Sequence, residues 1–138
     1  MNRDDFQALA HIRLDEAKVL LDAGYYDGAY CLAGYAVECA LKACIAKLTR
    51  EHDFSRDRRF LENVFTHDPV RLIKAAGLEE DLATERQLDP IFAESWILVT
   101  GWSEDSRYQR TSGDEARNSY NAITEPRHGV FRWLLGHW

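Results

Sequence analysis

The chain has 138 residues, 46% of them apolar and 29% charged, with three prolines. That length corresponds to one domain spanning 1–138 and buries enough surface to fold without a metal or disulfide staple. The composition excludes collagen-like, low-complexity and wholly disordered classes. The formal net charge of −6 argues against a protein that coats duplex DNA through bulk charge, but leaves room for a local basic patch.

No run of 18 apolar residues occurs, so no membrane-spanning helix is expected. The start Met1-Asn2-Arg3-Asp4-Asp5 is too acidic for a secretory signal. Cys31, Cys39 and Cys44 are odd in number, lack a C-x-x-C spacing and fall in one predicted helix. They read as small buried thiols in a reducing cytoplasm, with no metal site and no cofactor expected.

The elements are almost all helical. Residues 4–23 form the first, with Asp4 or Asp5 as cap, Phe6, Leu9, Ala10, Ala17, Leu20 and Leu21 at helical spacing, and Gly24 as stop. The second, about 26–48, carries a stripe of mostly small residues: Ala29, Leu32, Ala33, Ala36, Val37, Ala40, Leu41, Cys44, Ile45 and Leu48. Small residues permit close approach of a neighbour, which marks this as the central helix of a bundle. Residues 49–65 are a mixed-charge connection in which Arg56, Arg58 and Arg59 alternate with acids, as on a solvated loop.

Asp68-Pro69 starts a short third helix that runs to Ala76 and stops at Gly77. A fourth covers about 79–99, with Leu82, Leu88, Ile91, Phe92, Ser95, Trp96 and Val99 facing inward and a kink or split before Pro90. Residues 100–112 are irregular. Ser112 and Glu115 form a capping box for the last helix, which runs to about Trp133 and is bent or divided at Pro126. Near its end Phe131, Trp133, Leu134 and Trp138 read as core or interface aromatics and apolars.

The segment from Leu20-Leu21 through Gly24 and Tyr26 to Leu32-Ala33-Gly34-Tyr35-Ala36-Val37-Glu38-Cys39-Ala40-Leu41-Lys42-Ala43 resembles the first two helices of the higher eukaryotes and prokaryotes nucleotide-binding (HEPN) domain family. Thr66-His67-Asp68 and Ser106-Arg107-Tyr108 fit the same pattern. The resemblance implies an all-α, up-and-down bundle of four to six helices, commonly paired as a homodimer. It also implies an association with nucleotides or RNA and, for many members, a separate nucleotidyltransferase-type partner of the toxin–antitoxin kind.

Ribonuclease members carry an arginine, four to six residues and a histidine on a late helix, the pair meeting its counterpart at a dimer cleft. Arg132 and His137 match that spacing here, with the histidine at the penultimate position. In such a site the arginine would stabilise the charged transition state and the imidazole would move protons at a ribose 2′-hydroxyl.

Other residues also carry candidate chemistry. Glu38 and Lys42 are four apart, either a surface ion pair or part of a polar groove that touches a ligand. His67 either fills a helix cap or contacts a phosphate there. Arg107, Tyr108, Arg110 and Trp102 form a basic and aromatic cluster suited to phosphate and base. In the alternative, Trp102 and Tyr108 merely pin the loop while Arg107 pairs an acid such as Asp105. The favoured expectation is a non-catalytic, cytoplasmic binding module for a nucleotide or RNA. The alternatives are a metal-independent endoribonuclease using Arg132 and His137 across a homodimer, and a structural homodimer without ligand.

Overall fold

The computed structural model describes residues 2–52 and 64–138. Arg56, Arg58 and Arg59 lie outside the described residues. Within them are seven α-helices, one short 3-10 helix and no strand. The count exceeds six because two prolines divide what periodicity joins.

Helix α1 spans Arg3–Asp22. Its cap is Asn2, not Asp4 or Asp5. The Asn2 side chain accepts from the Asp5 N–H and the Asp5 carboxylate accepts from the Asn2 N–H, both at 2.9 Å. Asp5 therefore serves as the third residue of a capping box, reaching back to the true cap. Gly24 ends the helix at φ +83°, and the Tyr25 N–H returns to the Leu20 carbonyl at 2.8 Å. A side chain would be strained at that φ.

Helix α2, Tyr26–His52, is the centre of the bundle and runs four residues past the expected Leu48. Ala29, Ala33, Ala36, Val37, Ala40, Leu41, Cys44 and Ile45 are all buried. Their small side chains let α1 approach, bringing Ala10, Leu14 and Ala17 into the same core. By length and composition Tyr26–Thr49 is apolar enough to cross a membrane, contrary to the expectation. However, 61% of its apolar window is buried against the other helices, so that apolarity serves the core.

Asp68 caps α3 (Pro69–Ala75) by accepting from the Val70 N–H, and Pro69 fills the first turn. Helices α4 (Glu79–Leu88) and α5 (Pro90–Thr100) are separate elements joined at Asp89, whose carboxylate accepts from the N–H groups of Ile91 and Phe92. The break resets the helical phase. Phe92, Ser95, Trp96 and Val99 reach the core as expected, but Leu88 and Ile91 are exposed.

The chain then forms a strap, Gly101–Ser112, holding a 3-10 helix at Glu104–Tyr108. Helix α6, Gly113–Thr124, begins with the expected Ser112–Glu115 capping box. The chain breaks at Pro126 and resumes as α7, Val130–Leu135. Phe131, Trp133 and Leu134 are buried in the core. The Phe92 and Trp133 rings pack 5.5 Å apart.

Candidate functional site

Glu38 sits midway along α2 and is 6% exposed, one of the few buried polar residues described. A buried carboxylate needs partners, and it has two. Lys42, one turn later, donates from Nζ to Glu38 Oε1 at 2.8 Å. His67, on the approach to α3, places Nδ1 2.9 Å from both Glu38 oxygens. The ion pair is therefore a buried centre rather than a surface i,i+4 pair. His67 does not fill the α3 cap, a role taken by Asp68.

The strap lies over this centre. Gly34 is one turn before Glu38, and a Cβ built there would overlap the Trp102 indole. Trp102 is buried and pins the strap. The Tyr35 ring stands edge-on to Trp102 at 5.0 Å and to His67 at 6.2 Å. Two residues past Trp102, Glu104 Oε2 lies 3.2 Å from His67 Nε2. Sequence reasoning missed Glu104, because nothing local ties an acid in this loop to a histidine 37 positions earlier.

Burial pushes the Tyr35 phenol above its ordinary range. Among nearby charges, Arg107 favours its ionised form while Glu38 and Glu104 oppose it. Arg107, Glu38 and Glu104 thus all lie within electrostatic reach of one hydroxyl. Among the described residues no carboxylate pairs with Arg107, Asp105 included. Its guanidinium lies 5.1 Å from the Tyr108 ring centre. Tyr108 is 80% exposed, so it does not pin the loop. Trp102 Nε1 and Ser106 Oγ, both on the strap, are buried without a hydrogen-bond partner among the described residues.

Arg110 is not part of the centre. It lines an open groove of about 490 Å³ with Tyr25, Tyr26, Thr111 and Ser112, near the start of α2. The Thr111 N–H donates to Asp27 Oδ1 there, tying the end of the strap to α2. Arg132 and His137 lie elsewhere, each facing a different acid of α4. Arg132 Nη2 donates to Glu85 Oε1 at 3.2 Å, and His137 Nδ1 is 3.9 Å from Asp81 Oδ2. The His137 ring packs 4.7 Å from Trp133. Glu38, Lys42, His67, Trp102 and Arg107 are therefore gathered around one stretch of α2, with Tyr108 beside them. No group of three or more metal-ligating side chains occurs among the described residues.

The HEPN domain family matches residues 7–125, nearly the whole chain and every residue of this centre. No curated protein and no solved structure gives a significant match.

Proposed function

Because the chain belongs to the HEPN domain family, a nucleotide- and RNA-related module, we propose that it is a non-catalytic binding module. It takes a nucleotide or a short RNA strand on the α2 face under the strap, and works as a homodimer with a nucleotidyltransferase-type partner. One observation carries this reading. A buried Glu38, paired with Lys42 and the partly exposed His67, shares the surroundings of Tyr35 with an arginine that has no carboxylate partner among the described residues, beside an exposed tyrosine and a buried tryptophan. Arginine grips phosphate oxygens, and an exposed aromatic face stacks on a base. The engagement of Arg132 by Glu85 also supports a binding role over a cutting one.

Calorimetric titration with nucleotides and short single-stranded RNA tests the site. Arg107→Glu lowers affinity about tenfold or more, since the change reverses a charge that faces phosphate. Unchanged affinity overturns the assignment. Native mass spectrometry of protein drawn gently from its own host tests the partner. A second small protein in the complex supports the reading, and a bare homodimer contradicts that part of it. RNA cleavage without added Mg²⁺ that disappears in His137→Ala would replace the binding role with the ribonuclease one.

A further inference from the structure

The two carboxylates on His67 are not equivalent. Glu38 is buried in the middle of α2, and Lys42 Nζ and His67 Nδ1 both reach its Oε1. Glu104 belongs to the first turn of a five-residue 3-10 helix, its side chain is 46% exposed, and His67 is its one ion-pair partner among the described residues. The first is built into the core, while the second can be exchanged for another anion at little structural cost.

A carboxylate and a phosphate present the same kind of oxygen to a ring N–H. Swinging Glu104 aside would leave Lys42 and His67 sharing a single buried carboxylate, with Arg107 within electrostatic reach of the neighbouring Tyr35. The strap that carries Glu104 also closes imperfectly, since Trp102 Nε1 and Ser106 Oγ are buried without partners among the described residues. Opening toward water would satisfy both and so lowers the cost of releasing the strap.

We propose that Glu104 occupies an anion subsite on His67 Nε2, and that the phosphate of a nucleoside monophosphate binds by displacing it. The inference rests on the nucleotide-binding reading above. It adds the residue that receives the phosphate and an internal competitor that holds the site closed. Glu38 is then a positioning residue. By accepting from Nδ1 it fixes the ring so that Nε2 points at the strap.

Calorimetry with adenosine 5′-monophosphate and with adenosine tests this on the wild type, Glu104→Gln and the double variant Glu104→Gln/His67→Gln. Both positions are partly exposed, and matched circular dichroism checks that each protein is folded. Glu104→Gln binds the monophosphate about tenfold tighter, a typical coupling between competing contacts, and adenosine no tighter. Adding His67→Gln removes the gain. The inference is overturned by unchanged or weaker monophosphate binding in Glu104→Gln, by an equal gain for adenosine, or by a gain that survives His67→Gln. If all three proteins bind both ligands equally well, the inference fails and the binding reading stands. If none binds either ligand, the inference fails and the binding reading is left to RNA alone.

Discussion

Gly34 and Trp102 share one volume, because the indole lies where a side chain at position 34 would have to be. The missing Cβ is what allows the strap to descend onto α2 and bring Glu104 to His67. Gly34→Ala would normally favour a helix interior. Here it forces a buried ring to move. The expected net cost is about 1–3 kcal/mol, the range for overpacking a core, read by chemical denaturation together with a shifted Trp102 indole resonance. An alanine that leaves both unchanged would show that the strap does not rest on Gly34.

Removing Glu38 leaves Lys42 and His67 without the charge they share. Lys42 has a side chain only 18% exposed, so it loses its partner where water is scarce. Glu38→Ala therefore costs about 3 kcal/mol, the lower end for breaking a buried pair. For a chain of this size that lowers Tm by about 10 °C. Lys42→Met costs less, because His67 still pairs with Glu38 and the methionine stem still packs. Equal and small losses in the two variants would place the pair in effect at the surface.

The parts of this fold legible in the sequence are those written at helix ends. Asp68-Pro69, Ser112-x-x-Glu115 and Gly24 each act on backbone groups within a few residues, so local pattern suffices. The small-residue stripe of α2 was equally plain, because close packing leaves a period in the chain. Phase beyond a break was not. Leu88 and Ile91 fit the inner face of one continuous helix and face solvent once Asp89 divides it. The candidate site was half legible. Glu38 and Lys42 announce themselves by spacing, but whether the pair is buried depends on what covers it. That cover is His67 and Glu104, brought in from 29 and 66 positions away, at distances no local rule reads.

Asp89 joins two turns. Its carboxylate caps α5, and its Oδ2 lies 2.6 Å from His128 Nδ1 in the turn between α6 and α7. The hydrogen bond from His128 is the main cause that holds the Asp89 carboxyl below its ordinary value. A carboxyl whose folded pKa is depressed adds stability above its unfolded pKa of about 3.9 and loses it as pH falls through the folded value. Asp89→Asn keeps a capping oxygen but not the charge. The stability gap between wild type and this variant is therefore open at about pH 5 and narrows steadily below about pH 4. A gap independent of pH across that window would refute the role of the charge.

Burial pushes the Cys44 thiol up to about 12, and its Sγ lies against the Leu134 carbonyl. Only thiolate attacks a disulfide reagent, so at pH 8 roughly one Cys44 in ten thousand is competent. Cys31 and Cys39 are half-buried on the same helix. An aromatic disulfide reagent at pH 8 labels those two first and reaches Cys44 only when the protein unfolds. Early labelling of Cys44 would mean that α7 leaves α2 readily in the native state.

The most direct test of the binding role is a nuclear magnetic resonance titration of labelled protein with adenosine 5′-monophosphate. The perturbed resonances are expected to cluster at Tyr35, His67, the Trp102 indole N–H, Glu104 and Arg107. Perturbations confined to the Arg110 groove or to Arg132 and His137, or no perturbation at saturating nucleotide, would contradict nucleotide binding at this centre.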